Sequence, residues 1–337
     1  MLEKLKSKEV VVIKKIDEFL NAVIDNEVLK KKPYLVEKVR KGEIRLARFL
    51  KMIFPNATNV YISGIIKWLK EEGEYCIRTK EPTYLKSPEY IPHGDSDSCF
   101  VNNYPDGLDK SVQPFIIEFL GGKLVLVENA EKYGRFFVLP ARGESLIAFN
   151  FYGIERSLFL AILENIFKGY NIYEVDCDEI GIYSSLYFNS GRFFLISESE
   201  NLEMAINDFR ISCPICGNEV LFKDLRLVSG DQLKYVPEST IYYEKVITPF
   251  LNLLLKDIRN IMQNWYPELR LYAEELMDYS LKYRGEKVKF DSCSDLDCIE
   301  DCKISAFDCE RAVSLLLEDT VKFLVEVYFA CPDCCVF

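Results

Sequence analysis

The chain has 337 residues, of which 49% are hydrophobic and 13% aromatic. That composition supplies a large core and excludes a disordered or fibrous protein. The net charge of −11 does not suggest a body made to bind nucleic acid. No apolar run approaches the roughly 18 residues that a membrane-spanning helix needs. Met1-Leu2-Glu3-Lys4-Leu5-Lys6 lacks the apolar stretch of a secretory leader, so the expected location is cytoplasmic.

The charge is unevenly spread. Residues 1–70 hold 16 Lys+Arg against 8 Asp+Glu, while the remainder holds 26 against 45. A basic contact surface on an acidic body explains this asymmetry, and so does a solvated lysine-rich helical face. The positive charge concentrates at Lys30, Lys31, Lys32, Lys38, Arg40, Lys41, Arg45 and Arg48, with Tyr34 and Phe49 among them. Such a stretch can meet phosphates.

In chain order, residues 1–31 are expected to form one helix. Val10, Ile13, Ile16, Phe19, Leu20, Val23 and Ile24 recur at three- and four-residue spacing, and Pro33 ends the run. Shorter helices follow at about 34–41, from Glu43 to Phe54, and from a cap at Asn56 or Thr58 to Lys70. Tyr75–Arg78 reads as a strand. Three short helices before a strand is also the order of a winged helix-turn-helix over 34–78.

Residues 80–114 are polar and broken by Pro82, Pro88, Pro92, Gly94, Pro105 and Gly107. Loops of this length tend to be functional or disordered. Short strands are expected at Phe115–Leu120, Lys123–Glu128, Phe136–Leu139 and Ser145–Asn150, a helix at 154–168, and strands at Gly181–Phe188 and Arg192–Ser197. From Thr240 onward the pattern is helical. Leu251, Leu254, Leu255, Ile258 and Ile261-Met262 form a stripe, and further helices are expected at about 267–283 and 308–330.

Two Cys-x-x-Cys pairs bracket that helical segment: Cys213-Pro214-Ile215-Cys216-Gly217 and Cys331-Pro332-Asp333-Cys334. Four thiolates from two such knuckles make the tetrahedral shell that zinc prefers. A closed shell of this kind braces a fold and does not catalyse. Two redox or disulfide pairs would show the same spacing, and Cys335 is an alternative fourth ligand. Cys293, Cys298, Cys302 and Cys309 form a further group, suited to a second zinc, an iron–sulfur cluster or disulfides. His93 is the sole histidine. Beside Asp95 and Asp97 it suggests a hydrolytic metal site, but a solvated loop is the better account, because such sites need more ligands. No phosphate-binding loop, dinucleotide fingerprint or nucleophile elbow is present.

The fold class expected is α+β. A basic helical region (1–79, with the element order of a winged helix), a β-rich region with a long polar loop (80–212) and a zinc-closed helical region (213–337) follow one another. With its β-rich first half, its Cys-Pro-x-Cys-Gly knuckle and a closing Cys-x-x-Cys at Cys331 and Cys334, the chain resembles the large subunit of archaeal type I-A CRISPR interference complexes (Cascade). A composition rich in Lys, Glu, Ile and Tyr, common in heat-adapted proteins, agrees with that. The resemblance implies a non-catalytic subunit that helps recognise target DNA and docks an effector nuclease. Its partners would be other protein subunits, guide RNA and target DNA, with sequence read by base pairing. Two other readings are a free-standing zinc-ribbon/winged-helix DNA-binding protein and a metal-dependent enzyme centred on the 80–114 loop.

Overall fold

The computed structural model describes Leu5 and residues 8–90, 98, 100–103, 105–130, 133–141, 145–176, 192–213, 216–221, 241 and 243–264. Beyond these it describes 268, 271–276, 278, 311, 313–318, 320 and 321. The fold is mixed α+β. Among the described residues, a seven-stranded antiparallel sheet lies at its centre. The strands are β1 (Lys8–Lys14), β2 (Glu72–Lys80), β3 (Lys123–Glu128), β4 (Tyr133–Pro140), β5 (Leu146–Tyr152), β6 (Asn171–Asp176) and β7 (Arg192–Ser197). Their order across the sheet is β1-β2-β3-β4-β5-β7-β6.

The central strands read as unbroken apolar runs because helices cover both faces of the sheet. Val125, Val127, Phe136, Val138, Leu146 and Ala148 point to one face and pack under helix α8 (Arg156–Ile166). There Phe159 meets Phe136 edge-on at 4.9 Å and Phe194 at 5.2 Å. Leu124, Leu126, Phe137, Leu139, Ile147 and Phe149 point to the other face. That face is covered by α7 (Gln113–Phe119), by α10 (Thr248–Asn264) and by helical residues between 311 and 321. Phe115 of α7 and Phe250 of α10 touch at 5.5 Å. Each such buried phenylalanine contributes about 1.5–3 kcal/mol from area removed from water.

The 3.6-residue period of α10 is visible in Phe250, Leu254 and Ile258, all fully buried. The described residues of the expected 267–283 and 308–330 helices are helical, with Ala273, Leu276, Val313, Leu316, Leu317 and Val321 in the same core as the sheet. The boundary expected between 79 and 80 falls inside β2, a strand that pairs with β1 on one side and β3 on the other. The expected strand Gly181–Phe188 lies outside the described residues.

Two local expectations are corrected. The helix expected over 1–31 is interrupted by strand β1. Val11 and Ile13 are 3% exposed, whereas Val10 is 59% and Val12 42% exposed, a period of two. The run Val10-Val11-Val12-Ile13 is β-branched throughout and pairs with β2, Val11 opposite Tyr75. Helix then begins at α1 (Lys15–Ala22) and resumes at α2 (Glu27–Lys31). The strand expected at Phe115–Leu120 is helix α7. Pro114 in the first turn suits a helix start. The position is buried all round, so its apolar run carries no period to read.

Between β1 and β2 the chain makes a helical excursion through α1, α2, α3 (Tyr34–Arg40), α4 (Leu46–Ile53) and α5 (Asn59–Trp68). Because β1 and β2 are neighbours, the excursion leaves and re-enters at one edge of the sheet. It has its own core. Helix α4 sends Phe49 toward Leu29, Leu35, Val36 and Val39, and Leu50 toward Ile62 and Leu69 of the α5 side. Asn26 caps α2 by accepting from Val28 N at 2.9 Å, and Thr58 caps α5 by accepting from Tyr61 N at 3.2 Å. No local wing hairpin follows α5, since β2 pairs with β1 and β3.

Candidate functional site

The eight basic residues expected to meet nucleic acid all lie on this helical unit and all are exposed. Lys30 and Lys31 end α2, Lys38 and Arg40 end α3, and Arg45 and Arg48 begin α4. They divide into two groups. Arg40 is committed within the chain: its guanidinium donates to Glu164 Oε1 of α8 and to Asn21 Oδ1 of α1, each at 3.0 Å. With α1 packed along α8, this arginine fastens the unit to the body. Lys38 sits over the Tyr34 ring at 5.5 Å. The side chains of Lys30, Lys31, Lys32, Lys41, Arg45 and Arg48 have no hydrogen bond or ion pair among the described residues. Cations held in this way remain available to phosphates.

The basic region extends further than the clustered lysines suggested. Residues 44–70 contain Arg45, Arg48, Lys51, Lys67 and Lys70 and no Asp or Glu. Helix α5 buries Ile62 and exposes Val60 (82%), Tyr61 (58%) and Trp68 (40%), with Ser63, Gly64 and Lys67 also exposed. The signal that could have found this surface is the 27-residue run without a carboxylate. The dense cluster of basic residues by itself ends at Arg48.

The first knuckle is a tight hairpin end. Strands β8 (Arg210–Ser212) and β9 (Glu219–Leu221) pair, and Cys213 N donates to Asn218 O while Gly217 N donates to Cys213 O, both at 2.8 Å. Gly217 has φ +75° with open space where a Cβ would stand, which is why glycine follows the second cysteine. Cys213 is buried and Cys216 exposed. Two sulfurs carried on one turn are the half-site a thiolate-bound metal uses. Cys331 and Cys334 lie outside the described residues, as do Cys293, Cys298, Cys302 and Cys309.

The described residues of the polar 80–114 stretch pack onto the sheet. Short 3₁₀ turns at Pro82–Lys86 and Pro105–Gly107 lead to α6 (Leu108–Ser111), and Leu85, Tyr90, Phe100, Leu108 and Val112 enter the core. A lysine pins it there. Lys86 Nζ donates to Ser111 Oγ at 2.6 Å and to Asn103 Oδ1 at 2.8 Å, and Asn103 Nδ2 donates to Asp257 Oδ2 of α10 at 2.7 Å. Tyr272 OH donates to Asn103 O at 3.2 Å, and burial pushes its phenol well up from the usual range. A lysine beside a serine has the parts of a base and nucleophile. Ser111, however, is fully buried and donates to Asn103 at 2.6 Å, so this network stitches the stretch to α10.

A second anchor is Arg135, 1% exposed. It donates to Ser98 Oγ at 2.7 Å and lies among the rings of Phe100, Phe137 and Tyr152 at 5.2–5.7 Å. His93, Asp95 and Asp97 are outside the described residues. Among those described, no group of three or more His, Cys, Asp or Glu could hold a metal. No described helix is long and apolar enough to cross a membrane. A half-open cleft of about 510 Å³ lies between Thr83, Phe115, Glu118, Phe119, Lys245 and Pro249, with Thr83 N donating to Glu118 Oε2 at 3.2 Å.

Comparison with protein-family models, with curated proteins and with solved structures returned no match.

Proposed function

We propose that the chain is a non-catalytic, nucleic-acid-binding subunit of an RNA-guided DNA-targeting complex. The helical unit is its contact with nucleic acid, and the acidic body faces other protein subunits. The observation that carries this reading is the group of six exposed cations with no partner among the described residues, mounted on a body of opposite charge. Placing the chain in a complex with guide RNA and target DNA rests on the resemblance carried by the two cysteine knuckles. A zinc shared by Cys213, Cys216, Cys331 and Cys334 belongs to the same reading, supported by the turn that carries the first two sulfurs.

Reversal of Lys31, Lys32, Arg45 and Arg48 to Glu tests the nucleic-acid contact. Binding should weaken, and the slope of log affinity against log salt should fall by roughly one unit per lost phosphate contact. Binding that survives with an unaltered slope removes the role from this face. Purification from the native host tests the complex, which predicts co-purifying protein and RNA. Native mass spectrometry should find one tightly held zinc, lost on Cys216→Ser. A free-standing DNA-binding protein is the second reading, favoured by the α4–α5 pair. It requires that the purified chain alone bind duplex DNA as tightly as any assembly that contains it.

A further inference from the structure

We infer that α4 and α5 act as a helix-turn-helix reader, with the outer face of α5 entering the major groove of duplex DNA. This rests on the reading of the helical unit as the nucleic-acid contact and names what that contact recognises. Helix α4 packs against α5 through Leu50, Ile62 and Leu69, and residues 54–58 join them. The buried residues of α5 leave Val60, Ser63, Gly64 and Lys67 along its opposite side, flanked by Tyr61 and Trp68.

Three observations select a duplex as the occupant. The first is charge: residues 44–70, which hold the pair, its link and its flanks, carry five basic residues and no acidic one, in a chain of net charge −11. Arg45 and Arg48, at the start of α4, lie where the first helix of such a motif crosses the phosphate backbone. The second is Gly64. Glycine in the middle of a helix is unfavourable, yet a Cβ here would meet nothing within 4 Å, so no packing inside the protein requires it. Its use is to let another surface approach the helix backbone closely. The third is the chemistry of the exposed face. A valine methyl matches a thymine methyl, a serine hydroxyl pairs with either donor or acceptor edges, and lysine reaches guanine acceptors. A protein-docking face would gain from a large side chain at its centre, where this helix has glycine.

The test uses the full chain with a library of randomised duplex DNA, and the same sequences as single strands. Wild-type protein should enrich a sequence pattern and prefer duplex to single strand. Gly64→Leu should raise the melting temperature or leave it unchanged. It should also lower affinity for the enriched duplex roughly tenfold or more and abolish its preference, with the salt slope kept. Arg45→Glu with Arg48→Glu should lower affinity for every duplex and reduce the slope. If charge reversal acts but Gly64→Leu does not, phosphate contact stands and the groove-reading helix is overturned. Preference for single strands overturns it too, as does a Gly64→Leu protein that keeps duplex affinity but no longer assembles with co-purifying subunits. If neither variant changes binding by the chain or its complex, this inference and the nucleic-acid reading fall together.

Discussion

The body and the helical unit are built on different terms. The body buries its sheet on both faces, and Phe136, Phe137, Phe149, Phe159, Phe193 and Phe194 are at most 2% exposed. The unit has two small clusters, joined through neighbouring residues of one helix, Phe49 and Leu50. Its outer surface keeps exposed aromatics and cations without a partner among the described residues, whereas ion pairs tie down the body's surface, such as Arg78 with Glu128 and Arg156 with Glu174. In those two pairs the side-chain bond to the carboxylate, ahead of the charge itself, holds each guanidinium above its ordinary pKa against the opposing effect of burial. The contrast teaches where function is placed: the thick core supplies stability, and the thin unit carries the surface that stability alone does not explain.

Breaking the body should break both parts. Phe137 lies 5.7 Å from Phe100 and 5.8 Å from Phe149, fully buried. Phe137→Ala should cost about 3–5 kcal/mol in denaturant titration. The unit should unfold with the body, because its ends are the paired strands β1 and β2.

Breaking the unit should spare the body. Phe49→Ala empties the centre of the first helical cluster. It should remove about 3 kcal/mol of local stability, seen as faster amide exchange over 27–53 while β3–β5 keep their protection. Equal loss of protection in β3–β5 would show that the two regions are one cooperative block.

The seam between them is smaller in energy. Arg40 and Glu164 are partly exposed, 29% and 36% at the side chain, so solvent screens the pair. A double-mutant cycle of Arg40→Ala and Glu164→Ala should give a coupling of about 0.5–1 kcal/mol. DNA binding should hardly change, unlike with Arg45 and Arg48, whose side chains have no partner among the described residues.

Two glycines of the unit give the finest test. Gly64→Ala should stabilise by up to about 1 kcal/mol. Gly42 has φ +72° just beyond α3, so Gly42→Ala should destabilise by about 1 kcal/mol. Opposite signs in thermal melts would separate a glycine the fold requires from one it does not.

Much of the fold was legible where a pattern is local. Residues Lys123–Glu128 and Arg192–Ser197 were expected as strands and are β3 and β7 with those bounds. Of the two caps expected for α5, Asn56 and Thr58, it is Thr58 that accepts from the helix backbone. A β-branched run bounded by turns, or a hydroxyl before an apolar-periodic stretch, states its structure within a few residues. The positive bias of the first 70 residues was also visible as composition, and it holds the candidate interface.

The chain by itself determined those elements, the charge division and the turn that carries Cys213 and Cys216. Tertiary structure alone decided three things. Val10-Val11-Val12-Ile13 satisfies both helical and strand spacing, and it became β1 only because β2, far along the chain, offers it a ladder. Phe115, Ile116 and Ile117 are all buried, so the run had no polar side from which to tell helix from strand. Among eight exposed bases, only the position of Glu164 on α8 shows that Arg40 fastens the unit. The shared cause is that side chains report their local period when half buried. Pairing over distance, and burial on every side, leave no such mark.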